Sequence, residues 1–226
     1  MAITGVNGSN NNTITTSISL PRTSVAGDLI VIALGSGNAN WTTVTASGAG
    51  ATWYHFGTNS GGAAQGNWFA IGVNATAGYM SNAVTLSSNP STSAGSYSIA
   101  IFSGCSKSFV PTAAFGPLTN GTLGSTVTTG GLSWSSGELL LAVGEAFTWA
   151  STTPTGTWAG VSDTFIGSSI VNSRAPFIDY QIASSSGSSA TYVSPASASG
   201  YGVGTVYGFI IPAAATAGGN MLLAMN

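Results

Sequence analysis

The chain has 226 residues, enough for one large all-β domain or two small ones. Three Lys or Arg and five Asp or Glu make it 4% charged, against about 25% in an ordinary soluble domain. Three cations cannot neutralise a phosphate backbone at several points or form a polybasic patch, so neither a nucleic-acid nor a membrane partner is expected; 43% hydrophobic residues argue equally against a solvated disordered chain.

Met1–Gly5 has neither a basic region nor an apolar stretch behind it, so no signal peptide is expected. No apolar run approaches the ~18 residues of a spanning helix. Thr13–Leu20 alternates apolar and polar residues in its second half, as a half-buried strand does. Leu29–Leu34 is continuously apolar and rich in Ile and Val, which predicts a strand covered on both faces. Further strands are expected at Val44–Ala46, Trp53–Gly57, Asn67–Val73, Ala83–Ser87 and Tyr97–Phe102. Ser106–Gly124, with Pro111 and Pro117, then makes an ordered crossing. Beyond it, strands are expected at Ser125–Thr129, Leu139–Val143, Asp163–Ile166, Phe177–Ile182, Ala190–Ser194 and Val203–Ile211. Gly, Asn, Pro and Ser clusters punctuate them at intervals typical of a sandwich or barrel. The end of the chain, residues 212–226, is an Ala- and Gly-rich arm closing on Met221, Leu222, Leu223 and Met225. Those four side chains are costly to leave in water and are expected to contact another subunit.

The two series match. Gly27-Asp28-Leu29-Ile30-Val31 returns as Gly137-Glu138-Leu139-Leu140-Leu141, an offset of 110. Thr52-Trp53 returns as Thr157-Trp158, and Trp68-Phe69 as Pro176-Phe177, at offsets of 105 and 108. That period is too long for a solenoid unit of roughly 20–50 residues. It predicts an all-β, jelly-roll-like antiparallel β-sandwich built by internal duplication of about 110 residues, with half-repeats near 13–104 and 125–211. Tandem sandwiches and one interleaved sandwich both fit. Two small, edge-exposed sheets per copy are unfavourable, so a single sandwich over residues 1–211 is preferred.

Side chains for catalysis are few. His55 stands alone beside Trp53 and Tyr54, and Cys105 is the single cysteine, so a zinc site of His and Cys is not expected and neither is an intrachain disulfide. Cys105 reads as a buried small hydrophobe and His55 as a structural residue. Glu145, Asp163 and Asp179 are the acids from which a glycosidase pair would have to come, but their first-copy counterparts are uncharged. Asp28 and Glu138 share one repeat position after a glycine and read as strand-entry residues. No phosphate loop, calcium loop or nucleophile elbow is present. Catalytic, cofactor and metal residues are therefore all expected to be absent. Among the aromatics Trp41, Trp53, Tyr54, Trp68, Tyr79, Trp134, Trp149 and Trp158, core packing is the ordinary role. Trp149, in the loop-like stretch Thr148–Thr153, is the best candidate for glycan contact.

Gly27–Val31, Thr43–Gly48 with Thr52-Trp53, Trp68-Phe69 before Ala77-Gly78, and Ser96–Gly104 together resemble a known module. It is the duplicated jelly-roll-like β-sandwich domain of bacteriophage virion proteins and some bacterial surface proteins, and the resemblance spans most of residues 13–211. It implies structural or adhesive duty on the particle surface, with no catalytic residues. The chain departs from it in charge depletion and in its Met-Leu-Leu ending. The expectation is a capsid decoration (cement) protein that is a homo-oligomer, its partners being its own copies and other virion proteins such as the major capsid protein. A tail or fibre module binding host-surface glycans through exposed aromatics is the alternative.

Overall fold

A computed structural model describes residues 2–11, 15–36, 44–59, 66–87, 95–121, 126–147, 157–158, 164–167, 174–193 and 203–215. Within them the chain is all-β, with sixteen strands and no helix. The first eight are β1 (Thr4–Asn11), β2 (Ser17–Ile18), β3 (Asp28–Ser36), β4 (Ala46–Gly48), β5 (Thr52–Asn59), β6 (Gly66–Ala75), β7 (Val84–Leu86) and β8 (Gly95–Ser103). The rest are β9 (Ala113–Gly121), β10 (Thr126–Trp134), β11 (Leu139–Phe147), β12 (Thr157–Trp158), β13 (Thr164–Gly167), β14 (Arg174–Ile182), β15 (Gly187–Val193) and β16 (Val203–Ile211).

These strands form four sheets, antiparallel throughout. Sheet 1 runs β1-β8-β3-β6-β5 and sheet 2 runs β2-β7-β4. Sheet 3 runs β9-β16-β11-β14-β13 and sheet 4 runs β10-β15-β12. Every strand of sheets 3 and 4 stands where its counterpart, numbered eight lower, stands in sheets 1 and 2. Strands from residues 4–103 and from residues 113–211 do not share a sheet.

The apolar runs explain the stacking. Successive residues of a strand point to opposite faces, and in β3 both faces are buried. Ile30, Ile32 and Leu34 pack with Trp68 and Ile99 against Ile18, Val84 and Leu86 of sheet 2. Leu29 and Val31 pack with Phe69, Ile71 and Phe102 against Leu141, Val143, Ile178 and Phe209 of sheet 3. On the far face of sheet 3, Leu140, Ala142 and Phe177 are also buried, and β12 of sheet 4 lies against β14. The central strands β3 and β11 are thus the buried middle of two five-stranded sheets placed back to back.

Sheets 1 and 3 meet reciprocally. β3 faces β11, β8 faces β14, and β6 faces β16. Because β8 corresponds to β16 and β6 to β14, the last two contacts mirror each other, as in an isologous interface. They are filled differently. On the β8–β14 side one ring pair, Phe102 edge-on to Tyr180 at 5.1 Å, stands beside the Ser98 hydroxyl, which donates to the Pro176 carbonyl at 2.9 Å. On the other side Phe69 meets Tyr207 edge-on at 4.8 Å, and Phe56 meets Phe209 at 4.9 Å.

Leu29–Leu34 and Leu139–Val143 lie in β3 and β11, as the apolar pattern predicts. Three strands were not anticipated: β1, β9 and the two-residue β12. β1 and β9 are edge strands of sheets 1 and 3, rich in Gly and Asn or interrupted by Pro117. Their pairing to β8 and β16 supplies what side-chain propensity does not. β9 falls inside the expected crossing Ser106–Gly124.

Candidate functional site

The two strand entries are built alike. Gly27 and Gly137 take φ of +94° and +87°, a conformation side chains rarely adopt. Their N–H groups donate to Ala75 and Ala183 carbonyls at 2.8 and 2.7 Å. The next residue turns its carboxylate back on the chain. Asp28 Oδ2 accepts from the Val25 N–H at 2.8 Å, and Glu138 Oε2 accepts from the Ser135 N–H at 2.7 Å. This is the strand-entry role expected for both acids.

Only the first entry carries an ion pair among the described residues. Arg22 donates through Nη1 to Asp28 Oδ2 at 2.8 Å and through Nη2 to Oδ1 at 3.3 Å. The Ser103 hydroxyl donates to Oδ1 at 2.7 Å and accepts from Arg22 Nη2 at 2.8 Å. Asp28 is fully buried, and its charge is met by four donors. Nothing in the local sequence joined residues 22, 28 and 103. Nearby, Cys105 is buried, and burial with the Asp28 charge pushes its thiol up to about 12. The thiolate that redox or nucleophilic chemistry needs is thereby suppressed.

Glu145 and Asp179 are both buried, but on opposite faces of sheet 3. Register pairs Ala142 with Asp179 and Val143 with Ile178. Val143 and Ile178 face sheet 1, so Asp179 faces the other way. Glu145, two residues after Val143, faces sheet 1, where its Oε1 would lie 2.8 Å from a Cβ at Gly35. The sheet therefore separates two carboxyls that a glycosidase would have to bring together. Asp163 lies outside the described residues.

His55 is one of four side chains that hold the backbone of residues 44–48, the Ser87 hydroxyl accepting from the Thr45 N–H at 3.0 Å. Trp68 Nε1–H donates to the Val44 carbonyl at 3.0 Å, and Trp53 Nε1–H donates to the Gly48 carbonyl at 3.0 Å. Between them, the Ala46 N–H donates to His55 Nε2 at 2.8 Å. The His55 ring is tilted against Trp68 with centroids 5.7 Å apart, and burial lowers its pKa below 6.5. A neutral ring with its proton on Nδ1 fits this contact. Trp53 and His55, two residues apart on β5, share the face toward sheet 2, which the alternation of a strand makes legible. Their common target on β4 is not.

Trp53 also covers Gly72, where a Cβ would come within 3.0 Å of its ring, and Trp134 covers Gly187 on β15 in the same way at 2.3 Å. Tyr79 is the exposed ring among the singled-out aromatics whose side chains are described, at 42%. The contact residues Met221, Leu222, Leu223 and Met225 and the glycan candidate Trp149 lie outside the described residues, as does Trp41. The start of the arm is placed: Ala213 bridges Cys105, the Ser106 N–H donates to the Pro212 carbonyl at 2.8 Å, and the Ala214 N–H donates to the Gly104 carbonyl at 2.7 Å. Among the described residues no three His, Cys, Asp or Glu cluster in a way that could hold a metal. No protein-family model, curated protein or solved structure matches the chain.

Proposed function

We propose that the chain is a non-enzymatic structural protein of a bacteriophage particle, a capsid decoration protein with a jelly-roll-like β-sandwich built by internal duplication. One observation supports the non-enzymatic part: the described acids and His55 do not converge on one cleft. Asp28 is ion-paired, Glu138 caps a turn, His55 holds a backbone amide, and Glu145 and Asp179 are divided by a sheet. None of these pairs a nucleophile with a base in one cleft, as acyl or glycosyl transfer requires.

The assembly part rests on composition. A net charge of −2 with few surface charges resists self-association poorly and suits a surface that is occupied in a particle. A protein that binds only the assembled lattice stabilises it by mass action. The arm starts at a fixed point beside the linker, at Pro212 to Ala214, and its apolar residues Met221, Leu222, Leu223 and Met225 are proposed to contact a neighbouring subunit. Mass spectrometry and cryo-EM of purified particles test this; absence from the shell would reject it. The second reading, a tail or fibre module for host-surface glycans, rests on exposed Tyr79. Glycan binding lost on Tyr79→Ala would select it.

A further inference from the structure

The clamp on residues 44–48 contains one titratable member. Trp53 and Trp68 hold carbonyls with indole N–H groups, and these contacts do not change with pH. His55 holds an N–H with a lone pair, and that contact exists only while Nε2 is unprotonated. The His55 residue itself is exposed, so a proton reaches it without prior opening of the fold.

We propose that His55 is an acid-operated latch on strand β4: protonation replaces the acceptor of the Ala46 N–H by a second donor and releases Ala46 from β5, while the two indoles keep their hold on Val44 and Gly48. The neighbouring strands offer the imidazolium no carboxylate partner. β2, β4, β5, β6 and β7 contain no Asp, Glu, Lys or Arg. On β5, Tyr54 packs toward sheet 3, the face away from His55. On the face that His55 shares, the titratable groups of sheet 1 are Tyr97 on β8, three strands away, and Asp28, paired to Arg22 at the start of β3. The Ala46 N–H then faces a second donor in a part-buried contact, and the cost falls on the short strand β4, whose backbone ladder runs to β7 alone. Val44, Ala46 and Trp68 belong to the core between sheets 1 and 2, so release of β4 loosens that core before the one between sheets 1 and 3.

The lowered pKa of His55 sets the direction. The folded state binds the proton more weakly than the opened one, so closure is fully favourable above pH 6.5 and weakens as pH falls below it. Protection of the latch drops about tenfold for each unit by which burial has lowered the ring's pKa.

Hydrogen exchange of the Ala46 amide, corrected for its intrinsic pH dependence, tests the latch between pH 7.5 and 5, alongside NMR titration of the His55 ring. Protection is expected to fall with the ring's protonation, while amides of β11 stay protected. His55→Gln, whose amide oxygen accepts the same bond and does not titrate, should abolish the pH dependence. His55→Phe should leave the Ala46 amide weakly protected at every pH. Wild-type protection that is constant to pH 5, or a His55→Gln profile with the wild-type midpoint, overturns the proposal.

Discussion

Arg22 grips Asp28 with both terminal nitrogens of its guanidinium, at 2.8 and 3.3 Å, and the carboxylate it grips has no exposed surface. Arg22→Ala leaves that charge buried with only the Ser103 hydroxyl and the Val25 N–H to meet it. A loss of about 3 kcal/mol is expected, in the range for breaking a buried pair from one side. Glu138 performs the same turn without a cation and is only half-buried. Glu138→Gln keeps an acceptor there and should cost less than about 1 kcal/mol. Urea unfolding of both variants checks the ranking; equal losses would mean the ion pair adds nothing to the turn.

Phe69 and Tyr207 join sheets 1 and 3 across 4.8 Å, edge to face. Phe69 is fully buried, and its removal opens a cavity between the two halves of the chain. Phe69→Ala is expected to cost about 3–5 kcal/mol. A double-mutant cycle with Tyr207→Ala should show a coupling of about 0.5–1.5 kcal/mol. Zero coupling would mean that the sheets do not pack through these rings.

Cys105 should be chemically silent in the folded protein. Its thiol, pushed up to about 12, carries almost no thiolate at pH 8. Labelling with a maleimide should therefore follow unfolding, and a fast stoichiometric reaction of native protein would contradict the burial. The same shift predicts a pH effect. The stabilisation from keeping the thiol neutral is complete below about pH 9 and is lost progressively as pH rises toward 12. Cys105→Ala should flatten that alkaline decline in a thermal melt.

The C-terminal arm divides into a placed start and the apolar residues after it. Truncation after Ala215 keeps the hydrogen bonds of Pro212 and Ala214 to residues 104–106. It should leave the melting temperature unchanged while weakening self-association or particle binding tenfold or more, since each tenfold needs only about 1.4 kcal/mol. Truncation after Ile211 also strips the linker of its partner and should lower the melting temperature. Sedimentation with particle pull-down separates the two effects; unchanged association after the first cut would leave the arm no intersubunit role.

What the amino-acid sequence determined by itself is the set of central strands and their entries. Leu29–Leu34 is apolar at every position and rich in Ile and Val, as a strand covered on both faces is, and the repeat extends that reading to Leu139–Val143, whose Leu and Ala alone would also fit a helix. Gly27 with Asp28, and Gly137 with Glu138, spell a turn whose glycine needs positive φ and whose acid caps it. Tertiary structure decided the rest. β1 and β9 are held by backbone ladders at sheet edges, and backbone groups are the same for every residue, so side-chain pattern does not announce them. The partners of Asp28, the separation of Glu145 from Asp179, and the grip of His55 on Ala46 likewise depend on which strand lies beside which. Local alternation tells which face a residue takes; only the stacking of sheets tells what that face meets.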